Sequence, residues 1–415
     1  MNISRRTTLR GLAGSALIAD VAPGLALAKA YTDKRFVFVF LRGGMDGLTA
    51  VPAYGDPEFY RARGALADDA PGTDSKFAML KLDGLFALNP DLKKMHAMYG
   101  EGELAVLHSL ASPYRERSHF DAQDVMENGT TGKAEKTGWL NRALAELPAD
   151  TRATRKETAM VIGALTPYVM RGPESYSSWS PPTAPSASRD LMDRIARAYR
   201  PDPLLSDSLE KARTAADMAA GGDMSGMGSD RGVNNQTFIR MMGVAGEFLR
   251  ADAGARIATI DYGGWDSHAE QNNRVDVATT RFAGRFPELY IGLDEGMAKL
   301  KESLGPAAWA ETVVLVVTEF GRTVRMNGTK GTDHGTGGAA FLAGGRVRGG
   351  QIIADWRGLK EADLYEGRDL YPTRDHRSVF KTVLAQHLGV AEGPLEDRIF
   401  PESRGATQLS GLLKA

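Results

Sequence analysis

The chain has 415 residues, with 51 basic against 52 acidic side chains, a formal net charge of −1 and no cysteine. The absence of cysteine excludes disulfides, thiol nucleophiles, cysteine-ligated zinc and iron–sulfur clusters. The near-zero charge argues against a nucleic-acid-binding protein, and the length allows one large domain or two smaller ones.

Residues 1–30 have the features of an export signal. Arg5 and Arg6 precede an apolar run over 11–27 that is rich in glycine and alanine and ends in small residues. This pattern is typical of a twin-arginine signal peptide with a signal-peptidase site, and an uncleaved anchor is the alternative. We therefore expect the twin-arginine translocation machinery to export the mature chain, 31–415, to the periplasm or beyond. No later segment approaches the ~20 apolar residues needed to cross a membrane.

The mature chain alternates apolar strands with helical segments. Strands are predicted at the continuous apolar runs 36–41, 104–108, 160–162, 257–260, 312–317 and 339–343. Helices are predicted at 89–100, 118–129, 287–304 and 379–388. Because the strands are apolar on both faces, the sequence predicts an α/β fold, a three-layer sandwich around a mainly parallel sheet in a single domain. The glycine-rich stretch 221–235 is predicted to be a mobile surface loop.

Candidate metal ligands lie at or near the ends of the predicted strands. They are Asp46, Asp266, His268, Glu319 and His334. Ligands of open α/β sheets bind at the carboxyl ends of the strands, and carboxylates and imidazoles that converge there would repel one another without a cation. We therefore expect a divalent metal ion. Mixed Asp and His donors suit zinc, manganese or iron, whereas an all-oxygen set would suit calcium or magnesium.

Each of these residues also has a structural interpretation. Asp46 between glycines is typical of a turn, Asp266 of a helix N-cap and His334 of a glycine-flanked loop. Glu319 follows a buried strand, and Arg322 could neutralise it in an ion pair. The residue types and spacings alone leave both interpretations open.

A serine nucleophile is a further hypothesis. Ser118 stands at a predicted helix start, where a nearby metal and the helix dipole would favour an alkoxide. Arg42, Arg117 and Arg322 are the candidates for neutralising an anionic ester. Alternatively, Ser118 begins a capping box with Asp121, and His119 is either a ligand or a hydrogen-bonded structural histidine.

Together with the twin-arginine start, five motifs make the chain resemble the bacterial exported domain-of-unknown-function family 1501. They are LRGGMDGL at 41–48, SHFDAQ at 118–123, GWDSH at 264–268, TEFGRT at 318–323 and DHG at 333–335. The resemblance covers essentially the whole mature chain. That family is grouped with the alkaline phosphatase and sulfatase superfamily, so the resemblance implies a metal-dependent α/β core.

The superfamily resemblance also implies roles for individual residues. The nucleophile region would fall near Ser118, and Glu319 takes the place of a metal-binding aspartate. Phe320 takes the place of the next ligand and cannot coordinate a metal. The remaining metal positions correspond loosely to Asp266, His268 and His334. A cysteine-derived formylglycine is excluded because the chain has no cysteine.

The function implied by the resemblance is that of an exported metal-dependent hydrolase of phosphate or sulfate esters. Its cofactor would be zinc, manganese or calcium, and its substrate a small-molecule or glycan ester. The alternative is a catalytically inactive binding or assembly protein on the same scaffold, which the substitution at Phe320 and the capping pattern at Ser118 both favour.

Overall fold

The computed structural model describes residues 33–132, 135–148, 158–181, 199, 235–252, 254–272 and 284–414. The strands are β1 (Arg35–Arg42), β2 (Leu80–Lys81), β3 (Ala87–Leu88), β4 (Leu104–Ala111), β5 (Ala159–Ile162), β6 (Ser177–Trp179), β7 (Ile257–Gly263), β8 (Thr312–Thr318), β9 (Gly338–Ala343), β10 (Gln351–Ile353) and β11 (Arg374–Asp375). The α-helices are α1 (Gly47–Ala50), α2 (Phe59–Arg63), α3 (Lys93–Gly100), α4 (His119–Asn128), α5 (Trp139–Glu146), α6 (Asn235–Arg250), α7 (Arg285–Ala310), α8 (His376–Thr382) and α9 (Glu392–Pro394). The predicted export signal and almost all of the predicted loop at 221–235 lie outside the described residues.

A nine-stranded sheet forms the centre of the fold, in the order β10-β4-β9-β8-β1-β7-β5-β6, with β11 beside β4. The central strand β1 pairs in parallel with β7 on one side and β8 on the other. Only β9, among the strands of this sheet in the described residues, runs antiparallel to its neighbours β4 and β8. The predicted α/β class and mainly parallel sheet are confirmed.

Both faces of the sheet are buried, as the continuous apolar strands require. In β1, Val37 and Val39 point into one core, and Phe36 and Phe38 point into the other. Side chains of α3, α6 and α7 complete the first core, and side chains of α5 and α8 contribute to the second. The three predicted layers follow from this alternation of side chains along each strand.

Helix α7 contains a kink at Gly305, whose φ of 70° is non-helical. Pro306 follows, and a proline has no backbone N–H to continue the helical hydrogen bonds. The regular part of α7 therefore ends where the sequence predicted, at Leu304. None of the described helices is long and apolar enough to cross a membrane.

Three histidines lie inside the fold. His108 contacts the carbonyl oxygen of Val51 at 3.1 Å, and His387 contacts that of Arg35 at 2.8 Å, in both cases through Nε2. Burial lowers the pKa of His108, His376 and His387 to about 4. These rings are therefore neutral at pH 7.

We predict that the protein loses stability as the pH falls from about 6.5 to about 4. Each of these histidines binds a proton more readily in the unfolded chain, so each lowers the free energy of unfolding by up to about 3 kcal/mol across this interval. His387→Gln keeps a donor for the Arg35 carbonyl and should remove roughly a third of the loss due to the three histidines. Urea unfolding at pH 7 and pH 4.5 measures the effect. The same pH dependence in variant and wild type would contradict it.

Candidate metal centre

The carboxyl ends of three neighbouring strands meet the start of one helix at a single edge of the sheet. The order β8-β1-β7 places the turn after β1 between the segments that follow β8 and β7. Helix α4 begins there at His119, which lies within hydrogen-bonding distance of Glu319 although the two are 200 positions apart in the chain. The sheet topology thus assembles the site from distant segments.

Four potential ligand atoms converge at this edge. They belong to His119, Asp266, His268 and His334, which we call the cluster. Asp266 Oδ1 lies 3.2 Å from His119 Nε2, 3.1 Å from His268 Nε2 and 3.3 Å from His334 Nε2. His334 Nε2 is also 2.9 Å from the Nε2 atom of His119 and 3.1 Å from that of His268. The four atoms form two triangles that share the edge between Asp266 and His334. Within the described part of the chain, His119, Asp266 and His334 are the group of acidic and histidine side chains arranged so that they could hold a metal ion.

Each of the three imidazoles is oriented through its Nδ1 atom. His334 Nδ1 lies 2.8 Å from the carbonyl oxygen of Arg117, which can only accept, so this nitrogen carries the proton. The other two Nδ1 atoms face carboxylates, in the pairs His119–Glu319 at 2.8 Å and His268–Asp333 at 3.1 Å. When Nδ1 carries the proton and Nε2 does not, each ring presents the lone pair of Nε2 to the cluster.

The arrangement of these lone pairs fits a metal ion. Two rings with unprotonated Nε2 atoms 2.9 Å apart cannot hydrogen-bond to each other, so a cation or an additional proton has to offset their repulsion. Burial lowers the pKa of His119, but the hydrogen bond to Glu319 brings this pKa above its ordinary value, which favours such a proton when no metal is bound. Ligands of a tetrahedral zinc with bonds of about 2.0 Å are about 3.3 Å apart, close to the separations in the cluster. Each triangle supplies three ligands and leaves a fourth position for water or substrate, as catalytic zinc sites do.

Glu319 lies one step behind the cluster and is completely buried. Its carboxylate accepts hydrogen bonds from the amides of Gly43 and Gly44, the hydroxyl of Thr318, Nδ1 of His119 and Nε2 of Gln123. Burial by itself would raise the pKa of Glu319, but the hydrogen bonds from His119 and Gln123 bring it below its ordinary value. The ionised carboxylate orients His119, as acidic side chains behind metal-bound histidines commonly do.

The turn after β1 approaches the cluster closely because it consists of glycine. Gly43 has a φ of 119°, and a Cβ atom built on it would lie 2.4 Å from the amide nitrogen of Asp266. A side chain at this position would therefore displace the segment that carries the candidate ligand.

Asp46 has other partners in the structure. It caps α1 through the amides of Leu48 and Thr49, and its second oxygen pairs with the buried Arg63 and accepts from Gln271 at 2.7 Å. Burial would raise the pKa of Asp46, but Arg63 keeps it below its ordinary value. The structure does not bring this predicted ligand to the cluster.

Arg322 is buried and pairs with Asp266, at 2.8 Å, rather than with Glu319. The same guanidinium donates to the carbonyl of Trp265 and to the carbonyls of the glycine turn after β1. Burial opposes ionisation of Asp266, but Arg322 brings its pKa down to about 2. Arg322 therefore positions Asp266, instead of facing a bound ester as the sequence suggested.

Arg117 also acts on the cluster indirectly. Its side chain pairs with Asp369, at 2.8 Å, and with Glu366. Its backbone φ of 61° lies in the left-handed region, which is unfavourable for a residue with a side chain. These ion pairs hold the backbone in this conformation, and the carbonyl of Arg117 then meets His334.

Ser118 occupies the N-cap position of α4, but its side chain makes no capping hydrogen bond. The capping-box interpretation therefore does not describe this helix start. The amide of Ser118 donates to the hydroxyl of Tyr114 at 3.4 Å. Ser118 directly precedes the candidate ligand His119 and is half-buried.

The sequence interpretation left His119 open as a ligand and missed two of the residues behind the cluster. Gln123 lies one helical turn after His119 on α4, a spacing that places both on one face of the helix. In the sequence, Asp333 stands out only as the first residue of the DHG motif at 333–335. Phe320 packs against the His119 ring, with the ring centres 4.7 Å apart, and so restricts the orientation of this imidazole.

The chain belongs to the family described as "Protein of unknown function (DUF1501)", whose model matches residues 33–399. The family resemblance seen in the sequence is therefore confirmed. A comparison with curated proteins gave no match.

Several solved structures resemble the fold. One is a protein in the alkaline phosphatase superfamily from Vibrio parahaemolyticus, with 10% identity and a TM-score of 0.39 over 95% of this chain and 78% of that chain. Another is the PsFucS1 sulfatase from Pseudoalteromonas sp., with 12% identity and a TM-score of 0.40 over 92% and 74%. A third is the periplasmic domain of EcEptC from Escherichia coli in complex with Zn, with 9% identity and a TM-score of 0.33 over 93% and 94%. At these identities and TM-scores, the function has to be argued from this chain's own residues.

We predict that Asp46→Asn destabilises the fold without weakening metal binding. The substitution leaves the buried Arg63 without its counter-charge, which costs about 3–5 kcal/mol of unfolding free energy. Asp266→Asn is the matched control and should weaken zinc binding instead. Urea unfolding and zinc titration of the two variants measure these effects. A folded Asp46→Asn protein that has lost zinc would make Asp46 a ligand after all.

Proposed function

We propose that this protein is an exported metal-dependent hydrolase of phosphate or sulfate esters. The observation that carries the proposal is the convergence of three imidazole Nε2 atoms and one carboxylate oxygen at the carboxyl edge of a parallel sheet. An independent acceptor orients each imidazole toward that point. Export through the twin-arginine machinery is part of the proposal and is supported by Arg5 and Arg6.

The metal would be held by His119, Asp266 and His334. The second triangle, with His268 in place of His119, is an alternative set of three ligands or the position of a second cation. A set with more nitrogen than oxygen donors favours zinc over manganese and disfavours calcium, which prefers oxygen ligands. When bound, such a cation supplies a Lewis acid that polarises the ester and lowers the pKa of a nearby hydroxyl.

The chain's own residues supply access and a nucleophile. The side chains of Asp266 and His268 are 47% and 45% exposed, so an ester group on a small molecule or a glycan can reach the cluster. In the proposed reaction, Ser118 Oγ attacks phosphorus or sulfur and the alcohol leaves. Water then hydrolyses the serine ester and releases phosphate or sulfate. The start of α4 favours the anionic group through the positive end of the helix dipole.

A second candidate function is a metal-binding protein that does not hydrolyse esters. It is favoured by the fact that three arginines near the cluster are already paired within the protein. Arg42 pairs with Glu127, Arg117 with Asp369, and Arg322 contacts the glycine turn and Asp266. Such a protein would use the metal for structure or for assembly with a partner.

We predict that the mature protein, residues 31–415, binds zinc stoichiometrically and that His334→Ala weakens this binding by about 100-fold. His96→Ala is the matched control, because His96 Nε2 contacts the carbonyl of Lys81 at 2.8 Å. Competition with a chromogenic chelator measures the affinity. The chain has no cysteine, so no thiolate contributes to the signal. A wild-type protein without stoichiometric metal would contradict the proposed hydrolase.

We predict that Ser118→Ala lowers ester turnover by at least about 1,000-fold and leaves zinc binding intact, because the variant lacks only the attacking oxygen. Ser112→Ala, in the segment between β4 and α4, is the control and should retain activity. The assay uses aryl phosphate, phosphodiester and aryl sulfate substrates. Full activity in Ser118→Ala would exclude the serine as nucleophile. A zinc-loaded wild type that hydrolyses none of these esters would favour the second candidate function.

A further inference from the structure

One face of α4 lies across the ends of three neighbouring strands. His119, Gln123 and Glu127 are spaced four residues apart, so they share this face of the helix. Opposite them stand polar residues at the ends of β8, β1 and β7. We call these six residues the polar ladder: His119, Gln123 and Glu127 on α4, and Glu319, Arg42 and Asp261 at the strand ends.

Gln123 occupies the middle of the polar ladder, and both the nitrogen and the oxygen of its side-chain amide are hydrogen-bonded. Its Nε2 donates to Glu319 Oε1 at 2.8 Å, and its Oε1 accepts from Arg42 Nη1 at 3.0 Å. A guanidinium can only donate and an ionised carboxylate can only accept, so the two partners determine which way the amide points.

Arg42 is itself held firmly, which makes it a rigid support for Gln123. It donates to both oxygens of Glu127, at 2.9 and 3.0 Å, and to Asp261 at 2.7 Å. Paired hydrogen bonds between a guanidinium and a carboxylate restrict both groups in orientation. Gln123 is therefore held between Glu319 and an arginine that two carboxylates fix in place.

The oxygen that Gln123 contacts is the same oxygen that orients His119. Glu319 Oε1 accepts from Gln123 Nε2 and from His119 Nδ1, in both cases at 2.8 Å. Loss of the Gln123 donor would leave this completely buried oxygen with fewer hydrogen bonds and allow the carboxylate to turn away from His119.

We propose that Gln123 is a positioning residue of the metal centre. It holds the Glu319 carboxylate in the orientation that directs His119 Nε2 toward the metal, and it thereby sets the affinity of the site for zinc. This inference rests on the proposed function only for the presence of a metal at the cluster. Gln123 itself does not contact the cluster.

The test compares three variants of the mature chain. Gln123→Met removes both amide contacts, whereas Gln123→Glu keeps an acceptor for Arg42 but removes the donor to Glu319. Asp124→Asn is the matched control, because Asp124 is the next residue on α4 and lies outside the polar ladder. Zinc affinity is measured by chelator competition, and thermal unfolding of the metal-free proteins reports on folding.

Both Gln123 variants should bind zinc about 10- to 100-fold more weakly than the wild type, and Asp124→Asn should stay within about 3-fold. The inference is overturned if a folded Gln123 variant binds zinc as tightly as the wild type. It is also overturned if Asp124→Asn loses as much affinity as the Gln123 variants, because the effect would then come from general disturbance of α4. A wild type that binds zinc but hydrolyses no ester refutes the proposed function alone. A wild type without zinc refutes both.

Discussion

The geometry of the candidate metal centre depends on the buried carboxylate of Glu319 at the end of β8. A charged group without access to water has to be hydrogen-bonded, and this carboxylate accepts from three separate parts of the chain. Its donors are the glycine turn after β1, the first turns of α4 and the neighbouring Thr318. The position of α4 against the sheet, the path of the glycine turn and the orientation of His119 are therefore all tied to one interaction.

The three arginines near the cluster are engaged in contacts within the protein. Arg322 holds Asp266, Arg117 holds the backbone that orients His334, and Arg42 supports Gln123. Each positive charge offsets a carboxylate close to the cluster, so the candidate ligands are oriented before any metal arrives. A preorganised site of this kind binds a cation with little rearrangement, whether the bound metal then serves catalysis or structure.

The sequence predicted the fold well because apolar runs report burial directly. All six predicted strands belong to the central sheet, and the regular part of α7 ends at the predicted Leu304. It also indicated the correct edge of the sheet, where Asp266, His268 and His334 meet. Asp46 was harder to place, because an aspartate between glycines looks the same whether it binds a metal or caps a helix. Its role depends on Arg63, which pairs with it from α2.

The sequence by itself determined the main strands of the central sheet, the absence of thiol chemistry and the family, since these depend on residue types and local spacing. Only the tertiary structure decided which polar side chains meet. Glu319 meets His119 across 200 positions of the chain, and Gln123 bonds both Glu319, after β8, and Arg42, at the end of β1. Hydrogen bonds and ion pairs form only where atoms on different elements come to within about 3 Å of each other. Local sequence patterns carry no record of such distances, because the packing of helix against sheet sets them.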